Sequence, residues 1–402
     1  MKAAQGCKLF GAYEALSGIQ DSVVLLHSVV GCNFGTMAFH AACDMAHIRQ
    51  TCTVISDTEV VFGGEKSLRK ALDYVEELFQ PRVIFVVTGC ISDMIQDDVR
   101  SVAQAHKGPA KVVFVEAAGY RGKMKEGQEA AMKVLAELAE APVPASKGCP
   151  KKVILAGLAS DDFRLDQDTK ALQKLAGENI ELQVLANTTA EELEKAANAD
   201  LILTVGYGEA YGKRMNQKYG IPWKSLDYPY GLTGAQEFWQ SLGEQFGDPQ
   251  GIWKIGYETA ESAFRSHTGE SLSKVYSYLQ ALYSMPAAVI GAKAKCHGMK
   301  RFLEQELGME VVVCAEREQV TDVERFYDKV RQSEAAVLFG SSFERELAEE
   351  LEIPLVRFDY PVFDRLSLSG RCYVGEEGSL CLVEDILNEI MAARNRKGAL
   401  YQ

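Results

Sequence analysis

The chain has 402 residues, of which 47% are hydrophobic, with ten cysteines and a formal net charge of −13. That length predicts two or three domains of a soluble globular protein, and the acidic balance argues against a broad face for nucleic acid. No apolar run approaches the roughly twenty residues of a membrane span, the start Met1–Gly6 lacks a secretory pattern, and the expected setting is the cytoplasm, where cysteines serve as free thiols and metal ligands rather than disulfides.

Along the chain, short apolar runs alternate with charged, helix-periodic stretches, which predicts parallel sheets covered by helices. The first block holds expected strands at Thr53–Ser56, Val83–Val87 and Lys111–Glu116, with a helix near Lys66–Leu78. Ala141–Gly148 contains two prolines and small residues and predicts a linker. The second block opens with the strand and glycine turn of Lys152–Gly157. It continues through Asp200–Gly206 and a helix over Gly208–Tyr219. The third block begins at Ala287–Gly291 and adds Glu310–Cys314, Ala335–Gly340 and Pro354–Phe358. The expected fold is α/β: three doubly wound Rossmann-like domains over 1–145, 146–284 and 285–402, with parallel sheets around a central cleft.

Three cysteines in the first ninety residues sit at glycine-marked turns: Gly6-Cys7, Gly31-Cys32 and Gly89-Cys90. Glycine lets a backbone approach closely, and turns deliver thiolates to iron–sulfur clusters. The alternative is three buried cysteines acting as small hydrophobes. Twenty-four and fifty-seven residues separate successive members, too far apart for a zinc ribbon or a ferredoxin run. Three thiolates also leave a four-site cluster short of a ligand, so a fourth group or a second chain is required.

The other candidates are weaker. His27, five residues before Cys32, could hydrogen-bond a cluster sulfide or be a satisfied core histidine. Asp97-Asp98 could cap a helix. Cys43 and Cys52 read as core thiols, and His40 and His47 lie two helical turns apart. Cys296-His297 reads as a helix start, with a single ligand or an anion-site cation at the cleft mouth as the alternative. Cys149, Cys314, Cys372 and Cys381 read as structural; Cys314 ends a strand expected to be buried, and Cys381 lies on an apolar helix face. Arg357 and Arg365 are either salt-bridged scaffold or guides for an anionic group.

The segments around the trio carry a resemblance. Gly6–Gly18 holds Cys7; Leu25-Leu-His-Ser-Val-Val-Gly-Cys32 holds the second; Ile55-Ser-Asp57 and Val60-Val-Phe-Gly-Gly-Glu-Lys-Ser-Leu68 follow; Thr88-Gly-Cys90 precedes Asp97-Asp98. This ordered set resembles the component 1 subunits of nitrogenase and its relatives, and the cysteine spacing is closer to the β-type subunit than the α-type. Tyr219-Gly-Ile-Pro-Trp223 with Gly231 and Thr233 extends the resemblance into the second block. Ile353-Pro-Leu-Val-Arg357, Pro361-Val-Phe-Asp-Arg365 and Gly375-Glu-Glu-Gly378 extend it into the third. The chain looks like a β-type subunit trimmed at both ends.

The resemblance implies that Cys7, Cys32 and Cys90 ligate a [4Fe–4S] or a larger, eight-iron P-cluster-like group shared with an α-type partner chain, with His27, Gly31 and Gly89 as neighbours. It further implies an oxygen-sensitive oxidoreductase, probed anaerobically and assembled as an α2β2 heterotetramer, that relays electrons from an ATP-dependent Fe protein-like reductase. This chain has no Gly-x-x-x-x-Gly-Lys-Ser/Thr loop, so it is not that reductase by motif. No cysteine lies in Thr204–Gly208 and no histidine follows Gly340–Phe343, so the α-type cofactor ligands are missing and the catalytic site is expected in the partner chain. The turn Gly119-Tyr-Arg-Gly122 lacks the serine that some β-type chains offer. Two alternatives within the superfamily stay open, a cofactor-assembly scaffold and a homodimeric tetrapyrrole reductase. A non-enzymatic binding module is the third.

Overall fold

The computed structural model describes residues 6–42, 49–143, 149–247, 262, 280–319, 322–366 and 370–396. Part of the expected linker (144–148), Cys43, His47 and the side chain of His40 lie outside the described residues. Three four-stranded sheets organise the chain, each with a strand order that requires crossovers, as expected for parallel strands joined by helices.

The first sheet is built from α1 (Lys8–Ser17), β1 (Ser22–His27), α2 (Val30–Ala42), β2 (Gln50–Cys52), α3 (Asp57–Phe62), α4 (Glu65–Phe79), β3 (Val83–Thr88), α5 (Cys90–Met94), α6 (Val99–Ala105), β4 (Lys111–Val115) and α7 (Met124–Leu138). Its order is β2-β1-β3-β4, all parallel. Every residue of β1 and β3 is buried, the continuous apolar pattern of strands covered on both faces. On α4, Leu68, Leu72 and Val75 form the buried stripe, spaced for one helix face.

The second sheet has β5 (Lys151–Ala156), α8 (Leu165–Ala176), β6 (Ile180–Val184), α9 (Ala190–Glu194), β7 (Leu201–Val205), α10 (Glu209–Tyr219) and β8 (Trp223–Leu226), ordered β6-β5-β7-β8. After α11 (Gly231–Phe246) comes the third sheet. It holds β9 (Pro286–Gly291), α12 (Lys293–Gln305), β10 (Glu310–Glu316), α13 (Val323–Gln332), β11 (Val337–Gly340), α14 (Arg345–Glu350), β12 (Leu355–Arg357) and α15 (Gly375–Arg396), ordered β10-β9-β11-β12 and parallel. By contacts the chain forms two compact units, one over 4–161 with 183–225 and the other over 162–182 with 226–402.

Two expectations need correction. The strand expected at Thr53–Ser56 lies earlier, at Gln50–Cys52. Val54 adopts φ +55°, which ends the extended run, and Ser56 with Glu59 forms the capping box of α3. Cys314 does not end a buried strand: β10 continues to Glu316 at the edge of its sheet, with Cys314 exposed. β1, β6 and β8 were not anticipated as strands. Among the described residues no helix is long and apolar enough to cross a membrane.

Candidate metal centre in the first sheet

The three cysteines leave the same end of one sheet. β1 and β3 are adjacent and in register to their last residues, His27 opposite Thr88. Cys32 lies in the first turn of α2 after β1, and Cys90 is the first residue of α5 after β3. The carboxyl ends of parallel strands are where open α/β sheets place their sites.

Cys7 reaches that end by a different route. It caps α1, whose residues Leu9 and Gly11 to Ser17 are buried. α1 approaches α7 through two glycines: a Cβ at Gly11 would collide with the Met124 carbonyl, and one at Gly127 with the Lys8 carbonyl. Cys7 then forms an antiparallel bridge with Lys123, and the Lys8 amide donates to Gly122 O at 3.0 Å. These contacts hold Cys7 against the turn Gly119–Arg121 that follows β4.

Gly119 is where two thiols meet. A Cβ built there would lie 2.9 Å from Cys7 Sγ and 3.2 Å from Cys90 Sγ. The two sulfurs are therefore no further apart than those distances combined, across a cradle that only glycine leaves open. Gly89 fixes Cys90 from the other side. Its amide donates to His27 O at 3.0 Å, and a Cβ there would strike the Ser28 hydroxyl. Ser28 is fully buried, and its hydroxyl has no hydrogen-bond partner among the described residues. Gly31 has open space at its Cβ position, so it is not required sterically here.

Cys32 keeps different company. Cys52, at the end of β2, donates its thiol to Ser28 O at 3.3 Å and lies close enough to Cys32 for their charges to couple. Burial raises the Cys52 thiol above its ordinary range. Read from sequence as a core thiol, Cys52 lies near Cys32 because β2 pairs with β1, Leu26 opposite Cys52; no local motif announces that pairing.

His27 is a satisfied buried histidine. Its Nε2 lies 2.9 Å from Asp97 Oδ2 and its Nδ1 3.0 Å from Thr53 Oγ1. Burial lowers its pKa more than Asp97 raises it, so the neutral ring donates to Asp97 and accepts from Thr53, and neither nitrogen is left for a cluster sulfide. The Phe62-Gly-Gly64 segment follows from the same pair. The Gly64 amide donates to Asp97 Oδ1 at 2.8 Å, and a Cβ on Gly64 would lie 2.5 Å from Asp97 Oδ2 and 2.9 Å from the His27 ring. Asp98, not Asp97, is the helix cap, accepting from Ser101 N at 3.0 Å.

The surface around the thiols is apolar. Phe34 is 73% exposed, Val61 72% and Phe62 84%, and Val30, Met94 and Tyr120 are also exposed. All six belong to segments that leave the carboxyl ends of β1 to β4. Exposed large apolar side chains are thus grouped at one end of this sheet. Among the described residues no three His, Cys, Asp or Glu side chains converge on one metal ion. Soft thiolates beside a glycine cradle do suit an iron–sulfur cluster completed from elsewhere.

The family model for the nitrogenase component 1 type oxidoreductase matches residues 7–391. The chain belongs to this family. It is 25% identical over 449 residues to a nitrogenase molybdenum-iron protein beta chain of Methanococcus maripaludis, covering 96% of this chain and 93% of that one. It is 28% identical to the alpha chain of Methanosarcina barkeri, the match covering 77% of this chain but only 59% of that relative. It is 26% identical to the iron-molybdenum cofactor biosynthesis protein NifE of the same organism, over 86% of this chain and 77% of that one. A solved structure described as nitrogenase Cp1 at pH 6.5 superposes with a TM-score of 0.80 over 99% of this chain and 94% of that one, at 20% identity, which supports the three Rossmann-like sheets.

Cys296, His297, Arg357 and Arg365 of this component 1 chain lie in the other compact unit. Cys296 sits in the first turn of α12, as a helix start, and is buried. His297 pairs with Glu316 at 3.0 Å and Asp227 at 3.7 Å. Arg357 pairs with Asp364 at 2.7 Å, and Arg365 with Glu389 at 2.5 Å and Asp385 at 3.4 Å, so both are salt-bridged scaffold. After β11, the Ser341 amide and hydroxyl each lie 2.7 Å from Glu344 Oε2, which Arg317 also meets at 3.1 Å.

Proposed function

We propose that this chain is the β-type subunit of a nitrogenase-like component 1 oxidoreductase. Cys7, Cys32 and Cys90 would hold an iron–sulfur cluster shared with an α-type partner. The observation that carries the reading is the meeting of Cys7 and Cys90 at Gly119, on an exposed apolar face. The cluster would supply one-electron chemistry at low potential. This chain's own part is to present the thiolates from turns braced by Gly89, Gly119 and the His27–Asp97 pair. Residues Phe34, Val61 and Phe62 would be covered by the α-type chain, excluding water from the site. An ATP-dependent Fe protein-like reductase would deliver the electrons. The full-length match to beta chains favours this assignment.

The test is Cys32→Ala in the complex purified anaerobically with its neighbouring gene product. Iron and sulfide bound at the interface should be lost while the chain stays folded; unchanged iron content would sink the reading. A cofactor-assembly scaffold is the second reading, favoured by the similarity to NifE. Such a scaffold would release its cluster to an acceptor protein, and the relay would keep its cluster through repeated reduction.

A further inference from the structure

Cys296 and Cys314 face each other away from the cysteine trio. Their sulfurs are 3.0 Å apart, and neither is in a disulfide. Cys296 is wholly buried in the first turn of α12; Cys314 is exposed on the edge strand β10. We propose that these two residues are a thiol–disulfide redox pair, oxidised by low-molecular-weight disulfides such as oxidised glutathione.

The geometry requires little movement. Bonding needs the sulfurs to close from 3.0 Å to about 2.05 Å. The two side chains come from neighbouring elements: α12 follows β9, and Cys314 pairs with Val289 on β9. The start of α12 is held in place. The Cys296 amide donates to Ala292 O at 2.8 Å, and Lys295 beside it is buried between Asp162 and Asp359.

The environment also assigns an order of events. The hydrogen bond from Cys296, helped by His297 and Lys300, lowers the Cys314 thiol to about 7, against the adverse effect of its partial burial. Cys296 moves the opposite way, raised by the same pairing and by burial, so it keeps its proton. The exposed Cys314 thiolate attacks one sulfur of the small disulfide, forming a mixed disulfide and releasing one thiolate. Cys296 then attacks the Cys314 sulfur while its proton passes to the departing sulfur, which leaves as the second small thiol. Two protein thiols become one disulfide, and one small disulfide becomes two small thiols. The product ties the start of α12 to β10.

The test is peptide mapping of the full chain, purified anaerobically and incubated with oxidised glutathione. A peptide linking Cys296 to Cys314, with the loss of two hydrogen atoms and no retained glutathione, is expected. Cys296→Ser should stop at one glutathione on Cys314. Because Cys296 is buried and that variant could fold poorly, Cys314→Ser at the exposed position is the second variant; it should leave Cys296 reduced. Cys314, the exposed sulfur of the pair, should alkylate before the buried Cys296. A stable glutathione adduct on Cys314 in the unaltered chain, or a Cys314 that stays reduced while Cys149 reacts, would overturn the proposal.

Discussion

The first and third sheets share a plan, and their carboxyl ends are finished in opposite ways. In the first, β1 and β3 open into turns bearing thiols, a buried hydroxyl without a partner among the described residues, and exposed Phe34 and Phe62. In the third, the corresponding turns after β9 and β11 are filled by the chain's own charges. Lys295 meets Asp162 and Asp359, and Arg317 meets Glu344 and Asp359. A buried charge is tolerated when its partner is built in, so this end is saturated. The first end offers thiols and exposed apolar side chains instead. That contrast agrees with a chain lacking the cysteine and histidine expected of an α-type cofactor site.

Breaking the saturated end should have the largest effect on stability. Lys295→Met removes the buried ammonium that meets Asp162 and Asp359 and should cost about 3–5 kcal/mol in denaturant unfolding, with no loss of iron beyond that due to unfolding. An unchanged midpoint would mean that the cluster of charges is not what holds this end together.

Crowding the open end should do less to stability and more to ligation. Gly89→Ala forces a methyl into the Ser28 hydroxyl and should cost about 1–3 kcal/mol by overpacking. Gly119→Ala displaces both Cys7 and Cys90 sulfurs from their meeting point. It should lower iron per complex in elemental analysis with the smaller change in thermal midpoint of the two. If Gly119→Ala retains full iron, the cradle is not part of the site.

A pH titration sharpens the contrast further. Burial lowers the pKa of His27, so the unfolded chain binds a proton more readily than the folded one. This contribution is fully present above the ordinary histidine value of about 6.5 and is lost as pH falls below it towards the lowered folded value. His27→Asn should flatten that part of the stability–pH curve, measured by urea midpoints; an unchanged slope would assign it elsewhere. The smallest effect on folding belongs to Phe62→Ser, since the ring is 84% exposed. Stability should change by under about 0.5 kcal/mol, while association with the proposed α-type partner weakens.

Much of this was legible in the sequence. The apolar runs Val83–Thr88 and Leu201–Val205 are strands because continuous burial needs continuous hydrophobicity. Glycines before Cys32 and Cys90 marked turns; the structure places Cys32 in the first turn of α2 and Cys90 at the first position of α5. The ordered motifs pointed to the family, and several of their glycines, Gly64 and Gly89 among them, stand where a side chain would collide. Gly64 has no room for a side chain beside Asp97 and His27, so a tertiary contact is recorded there as a glycine in the motif.

What local sequence could not state were distances between segments far apart in the chain. Cys52 read as a core thiol until the pairing of β2 with β1 put it near Cys32. His27 divided evenly between two roles until Asp97, seventy residues on, occupied its Nε2. Cys314 read as buried until β10 proved to be an edge strand, and only packing brought it to Cys296. Periodicity and turn chemistry act between neighbours and so determined the elements and their order. Strand order and helix packing act across the chain, and they alone decided which thiols meet and which charges are paired.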